Sequence, residues 1–77
     1  MVHARKDYQR IQDPAGKIPK DEPVFLLRAQ DRTAVATLMF WIIANENLRD
    51  GDPKAIGLAK SHLKRMKNWP VKKTADC

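Results

Sequence analysis

The chain has 77 residues, of which 15 are Lys or Arg and 9 are Asp or Glu, so its formal net charge is +6. This length allows one domain and leaves no room for a second hydrophobic core. The single cysteine, Cys77, excludes an intrachain disulfide, and His3 and His62 are too far apart to show the ligand spacing of a metal site. Small chains without these two devices are often stabilised by self-association. We therefore expect a homo-oligomer that holds neither a metal nor a cofactor.

The first 20 residues contain little periodic apolar signal and are predicted to form an extended arm. Asp13, Pro14 and Gly16 are typical of a tight turn, because proline suits its second position and glycine tolerates a positive φ. Ile18 precedes Pro19 and is therefore biased towards extended backbone. We expect the arm to lie across a helical domain at residues 21–69, which a basic tail follows at residues 70–77.

Residues 21–30 are ambiguous between a helix and a strand. Asp21, Glu22 and Pro23 resemble a helix start, since an aspartate can cap free N–H groups and a proline is tolerated in the first turn. The apolar run at residues 24–27 fits a buried strand equally well. A short helix is favoured because the sequence shows no second strand with which this segment could pair.

The most apolar segment, at residues 35–44, predicts a central helix over residues 32–49. Asp31 is the expected N-cap, with Thr33 as its rival, and the pair Asp50-Gly51 is the expected stop. The residues predicted to pack within the chain are Val35, Leu38, Met39, Ile42 and Ile43. Phe40 and Trp41 flank this face, and we expect them to contact another copy of the chain.

Asp52 and Pro53 form the strongest boundary signal in the sequence, an N-cap followed by a proline at the first helical position. The helix that they open is predicted over residues 54–68, and Trp69-Pro70 ends it. Because the connection to the preceding helix is short, the two helices should form an antiparallel hairpin. The predicted fold class is therefore all-α, with an extended arm, a short helix and an oligomeric helical hairpin.

Residues 54–73 contain seven cations and no carboxylate. Lys60, Lys64 and Lys67 recur at helical spacing, so they share one face and repel one another by a few tenths of a kcal/mol per pair. Such a face is either simply solvated or an electropositive strip for phosphates, nucleic acid or an acidic protein. Trp69 lies beside this strip, where its indole can stack on a base or hold the tail against the hairpin.

Arg28, Gln30 and Asp31 form a second polar cluster between the two predicted helices. Arginine can bind a phosphate or carboxylate through two hydrogen bonds, and a helix N-terminus presents free N–H groups to an anion. The structural alternative is that Asp31 caps the helix while Arg28 pairs with Asp31 or Glu22.

Enzyme signatures are absent, since the sequence has no glycine-rich phosphate loop, no paired His-Glu motif and no convincing triad. We therefore expect a protein that is not an enzyme. The apolar segment at residues 35–44 is about half the length needed to cross a bilayer. The N-terminus also lacks the apolar region of a signal peptide. We expect the chain in the cytoplasm of its bacterial host, without a membrane partner.

Two segments carry a resemblance to a known group, IPKDEPVFLLRAQD at residues 18–31 and WPVKKTAD at residues 69–76. Over roughly residues 8–76 the chain resembles small uncharacterised proteins encoded by bacteriophages and prophages, most specifically in the run PVFLLRAQD. The resemblance carries over no catalytic or binding residue. It implies a setting, a phage accessory protein inside a bacterium, where small helical proteins often counter host defences.

The function we expect is non-enzymatic, antidefence-type binding of an anionic, nucleotide-like ligand, as a sponge for a host immune signal. The predicted ligand contacts are Arg28, Gln30, Asp31, Lys60, Lys64 and Trp69. One alternative is a protein inhibitor that binds a host defence complex through its basic helix. The other is direct binding of DNA or RNA along residues 60–73, with an affinity that falls steeply with salt.

Overall fold

Four short elements make up the fold in the computed structural model, which describes residues 1–5, 8 and 13–74. In chain order they are β1 (Val2–His3), β2 (Pro23–Val24), α1 (Ala34–Glu46) and α2 (Pro53–Asn68). The two helices pack against each other, and the two strands form a small parallel sheet. Part of the predicted arm (residues 6, 7 and 9–12) and the last three residues of the predicted tail lie outside the described residues.

The strand pair corrects the short helix that the sequence favoured over residues 21–30. Pro23 pairs with Val2 and Val24 pairs with His3 in parallel register. The Val2 N–H donates to the Glu22 carbonyl at 2.7 Å, just before β2 begins. The helix prediction assumed that no second strand was available, and the N-terminal residues supply one. Pro23 fits this role because proline is accepted at the first residue of a strand.

Further contacts fix the N-terminus on the segment that leads into β2. The Met1 ammonium donates to the carbonyls of Pro19 and Lys20, at 2.5 and 2.6 Å. His3 is only 8% exposed, and its ring packs edge-on against Tyr8 with 6.5 Å between the ring centroids. Among the described residues, neither ring nitrogen of His3 has a hydrogen-bond partner. The first residues are thus held by backbone pairing and by burial of one side chain.

α1 is shorter than predicted at both ends, covering Ala34–Glu46 rather than residues 32–49. Thr33 occupies the N-cap position, but its side chain makes no capping hydrogen bond there. The expectation that Asp31 is the N-cap is therefore wrong: Asp31 lies two residues before the N-cap, and its backbone carbonyl accepts from the Ala34 N–H at 3.0 Å. The helix ends before the predicted Asp50-Gly51 stop, and the Asn47 side-chain amide donates to the Ile43 carbonyl at 2.9 Å in its last turn. The Ile43 carbonyl also accepts from the Asn47 backbone N–H at 3.2 Å, so Asn47 closes the helix through both its backbone and its side chain.

Burial along α1 is narrower than the sequence predicted. Ile42 is 5% exposed and Leu38 is half-buried, as expected for the inner face. Met39 and Ile43 are 40% and 53% exposed, so the prediction that they pack within the chain is wrong. The physical reason is that the rest of the chain covers only one stripe of a helix that is apolar on most sides.

α2 begins as predicted, since the Asp52 carboxylate accepts from the Lys54 N–H at 3.0 Å and Pro53 occupies the first turn. It ends at Asn68, where the Trp69 N–H donates to the Met66 carbonyl. Met66 is the buried residue of this helix. α2 therefore contributes one apolar stripe to a core that it shares with α1.

The connection between the helices requires a glycine at position 51 because a side chain there would clash with its neighbours. A positive φ is not the reason. A Cβ at this position would overlap the backbone carbonyl oxygen of Asn45. We predict that Gly51→Ala lowers the free energy of unfolding by about 1–3 kcal/mol, the usual cost of overpacking. The matched control is Gly57→Ala in α2, where an added Cβ meets no atom within 4 Å.

The control should change stability in the opposite direction, because alanine replaces glycine inside a helix with a gain of roughly 0.5–1 kcal/mol. Urea unfolding of both variants, followed by circular dichroism, measures the two effects. Equal shifts of the same sign would contradict this account of Gly51.

The C-terminal tail folds back along the segment that precedes α1. The Lys73 N–H donates to the Gln30 carbonyl at 2.7 Å, and the Arg32 N–H donates to the Lys73 carbonyl at 2.9 Å. The Lys72 ammonium donates to Met66 at 2.7 Å and to Ala29 at 2.9 Å, in both cases to the backbone carbonyl. A lysine at this place adds a second donor to the Met66 carbonyl and complements the negative end of the helix dipole. The tail is therefore docked through residue 74.

Candidate functional site

One pocket gathers the polar and aromatic side chains from three separate parts of the chain. The N-terminal segment, residues 25–31 and the tail each supply one wall, and the cavity volume is about 70 Å³. The lining residues are Ala4, Arg5, Tyr8, Phe25, Leu26, Arg28, Gln30, Asp31, Lys73 and Thr74. At the ~10–15 Å³ that one water needs, this cavity has room for roughly five waters, or for one phosphate-sized group.

Two backbone pairings position these walls. The β1–β2 pairing holds the N-terminal segment beside residues 23–24. Ala4 and Arg5, which follow β1, therefore line the same pocket as residues that follow β2. The parallel bridge between Asp31 and Lys73 holds the tail against the far end of that segment. Both pairings use backbone groups, and the side chains of Arg28, Gln30 and Lys73 line the pocket.

Cations dominate the charge of the pocket within the described part of the chain. Arg5, Arg28 and Lys73 line it, against the single carboxylate of Asp31. The Arg5 guanidinium lies over the Tyr8 ring, 5.0 Å from its centroid, in cation–π geometry. Arg28 is exposed. The described lining of the pocket thus contains more cations than carboxylates.

Arg28 does not play the structural role that the sequence left open. No hydrogen bond or ion pair joins its guanidinium to Asp31 or Glu22. The Asp31 carboxylate oxygen instead accepts from the Thr33 N–H and from the Thr33 hydroxyl, both at 2.8 Å. The five donors of the Arg28 guanidinium are thus not used to fix Asp31.

Asp31 is held ionised by its neighbours. The Thr33 backbone N–H and then the Thr33 hydroxyl lower the pKa of the carboxyl below its usual value of 3.8, and slight burial opposes them. The unfolded chain therefore binds a proton at Asp31 before the folded chain does. The contribution of Asp31 to stability is present above about pH 4 and is lost as the pH falls through the lowered value.

We accordingly predict a weaker acid dependence of stability for Asp31→Asn than for the wild-type chain. The measurement is the thermal unfolding midpoint at about pH 7 and about pH 3, on either side of the carboxyl titration. Thr33→Val removes the hydroxyl donor and keeps the backbone donor. The acid dependence of its unfolding midpoint should lie between those of the wild type and Asp31→Asn. If the wild type and Asp31→Asn respond identically to acid, Asp31 does not stabilise the turn before α1.

Two aromatic side chains, Tyr8 and Phe25, line the pocket. Phe25 is among the most exposed large apolar side chains that the structure describes, at 75%, and Tyr8 is half-buried beneath Arg5. An exposed aromatic ring beside cations offers a stacking surface next to a phosphate site. The described lining of the pocket thus combines cationic and aromatic side chains.

Of the six predicted ligand contacts, the structure brings three into this pocket, Arg28, Gln30 and Asp31. Lys60 lies instead in a separate cleft at the helix connection, where its ammonium is 2.8 Å from the Glu46 carboxylate. Lys64 is exposed on α2, and Trp69 is exposed just after that helix. Neither Lys64 nor Trp69 lines the pocket.

Sequence reasoning missed Arg5, Tyr8, Phe25 and Lys73 as members of the site. Residues 5 and 8 reach it only because a two-residue strand pairs with residues 23–24 across the intervening chain. Lys73 was counted in the basic strip but reaches the pocket through its bridge to Asp31. No local sequence pattern predicts the β1–β2 pairing or the bridge between Asp31 and Lys73. The sequence therefore contains no signal that these four residues lie at one site.

Comparisons of the chain with protein-family models, curated proteins and solved structures return no match. Within the described residues, no group of His, Cys, Asp and Glu side chains has the arrangement of a metal site. No helix in that part of the chain combines the length and the apolar character needed to span a membrane.

Proposed function

We propose that this protein works by binding, without catalysis, and that its ligand is anionic and nucleotide-like. The observation that carries the proposal is the convergence of Arg5, Arg28 and Lys73 with Tyr8 and Phe25 on one pocket. A phosphate group needs cations and N–H donors, and a base needs a flat aromatic surface. In the proposed site, the cations would bind the phosphate and the aromatic rings would stack on the base.

In the proposed binding mode a phosphate enters the cavity, where the Arg28 guanidinium can donate two parallel hydrogen bonds to it. The base lies across the open side, stacked on Phe25. Gln30 supplies an amide that can both donate and accept. A cavity of about 70 Å³ suits this division, since it holds a phosphate but not a whole nucleotide.

The biological setting that we propose follows from the resemblance to phage-encoded proteins. A phage accessory protein that sequesters a nucleotide signal would act as a sponge for a host immune messenger. Such a protein needs affinity and abundance rather than catalytic groups. The excess of cations in the pocket lining and the lack of a catalytic motif in the sequence support this role.

Isothermal titration calorimetry of the full chain against cyclic and linear nucleotides tests the proposal, with inorganic phosphate as a reference. The expected result is saturable binding of at least one nucleotide that is tighter than the binding of phosphate, because the base adds stacking. Flat traces across the whole panel would overturn the proposal. Equal affinity for phosphate and for every nucleotide would remove the stacking role of Phe25.

A second candidate function is binding of a host defence complex or of nucleic acid through α2. The observation that favours it is that α2 has five cations, all exposed, and no carboxylate; they are Lys54, Lys60, Lys64, Arg65 and Lys67. Affinity for nucleic acid along this face should fall steeply with salt. Capture of partners from bacterial lysate, with and without nuclease, separates a protein target from a nucleic-acid target.

A further inference from the structure

The outer side of α1 is an apolar face that the described chain does not cover. Phe40 is 75% exposed and Ile43 is 53% exposed, although both belong to the most apolar helix of the molecule. Ala36 and Ala44 are exposed on the same side. Monomeric domains usually expose large apolar residues singly, whereas grouped ones mark an interaction surface.

The spacing of these residues fits the packing of one helix against another. Ala36, Phe40 and Ile43 recur at intervals of four and three, which places them on one stripe of α1. At 100° per residue this stripe lies on the side opposite Leu38 and Ile42, which face the core. α1 therefore has two apolar stripes, and α2 packs against only one side of it.

The charge of the face indicates what covers it. Residues 33–45 contain no Asp, Glu, Lys or Arg, whereas the chain as a whole has a net charge of +6. Glu46, the one charged residue of α1, is paired with Lys60. An acidic partner would be attracted to the cations of α2 rather than to this uncharged surface. A second copy that presents the same uncharged face brings no like charges into contact, so only the long-range repulsion between the net charges opposes the pairing.

We infer that the outer face of α1 is a homodimer interface, in which Phe40 and Ile43 pack against the same residues of a second copy. This refines the expected oligomer contacts, because Trp41 lines an apolar cleft with Phe25, Leu27 and Leu38 and does not lie on the stripe. A helix of 13 residues is about 20 Å long and about 10 Å wide, so the interface falls below the ~800 Å² per partner of a standard complex. The dimer is weak and forms reversibly with concentration.

Analytical ultracentrifugation of the full chain over about 10–500 µM tests the inference, since this range brackets a micromolar dissociation constant. The expected result is a mass that rises from one chain towards two. Phe40→Glu should keep the chain monomeric over the range, and Ala36→Glu, a second change on the same stripe, should do the same. Leu58→Glu is the matched control, because Leu58 is 69% exposed on α2 and off the proposed interface.

Circular dichroism of each variant shows whether it keeps the helices, and Ala36→Glu keeps the test decisive if Phe40→Glu does not fold. A wild-type chain that stays monomeric at the highest concentration overturns the inference. So does dimerisation that survives both changes on α1, or dimerisation that Leu58→Glu abolishes equally. Association beyond two copies would contradict a closed pair of α1 helices.

Discussion

Replacing Arg28 by methionine should lower the affinity of the chain for the proposed nucleotide ligand by about 10- to 100-fold. Hydrogen bonds to charged groups are worth roughly 1.5–3 kcal/mol, and each 1.4 kcal/mol is a factor of ten in the dissociation constant. Methionine keeps much of the side-chain volume and removes the donors and the charge. Because Arg28 is exposed, the change should leave the fold intact. Titration calorimetry gives the affinities, and circular dichroism checks the fold.

Lys64→Met is the matched control for Arg28→Met. It removes the same unit of charge from an exposed position on α2, away from the pocket. If long-range attraction alone governs binding, the two variants should weaken it equally, and both effects should disappear at high salt. A much larger loss for Arg28→Met assigns the phosphate contact to the pocket. Equal losses would instead favour the basic face of α2 as the binding surface.

Replacing Ile42 by alanine should lower the free energy of unfolding by about 2–5 kcal/mol, the range for buried aliphatic residues cut back to alanine. Ile42 is one of the three buried apolar residues of the described chain, with Ala34 and Met66. A chain of this length has a total stability of roughly 4–12 kcal/mol, at ~0.05–0.15 kcal/mol per residue. The loss is therefore large enough to leave a substantial unfolded fraction. Urea unfolding followed by helical circular dichroism measures it.

Leu58→Ala provides the comparison, because the Leu58 side chain is mostly exposed on α2. Surface changes of this kind usually stay within about 0.5 kcal/mol. A loss for Leu58→Ala as large as that for Ile42→Ala would mean that the core does not lie between the inner face of α1 and Met66.

The helices could be predicted from the sequence because their signals are local. Two adjacent residues, Asp52 and Pro53, mark the start of α2. The long apolar run predicts the helix α1. The strands could not be predicted in the same way. β1 and β2 have two residues each, too few for any alternation, and each exists only because the other pairs with it.

The lining of the pocket also contains a part that could be predicted from the sequence and a part that could not. Arg28, Gln30 and Asp31 are close in sequence, so their grouping could be predicted, whereas Arg5 and Lys73 join them through pairings between distant segments. Helical periodicity placed Lys60 on the face of Lys64 but could not show that Glu46 of α1 lies beside it. Sequence patterns describe one helix at a time, and neutralisation of a charge by a neighbouring helix is a tertiary effect.

The turn at residues 14–17 is exposed, and Gly16 adopts a φ of 62° there. A protease that cuts at this turn would divide the protein into a short N-terminal peptide and a larger helical fragment. The peptide would hold Arg5 and Tyr8, and the fragment would hold Arg28 and Lys73. The described contacts that would then join the two pieces include β1, the buried His3 ring, the Met1 ammonium and the hydrogen bond from the Ile18 N–H to the Asp13 carboxylate. Binding of the proposed ligand would then require a reversible two-part complex, which dilution after cleavage would dissociate.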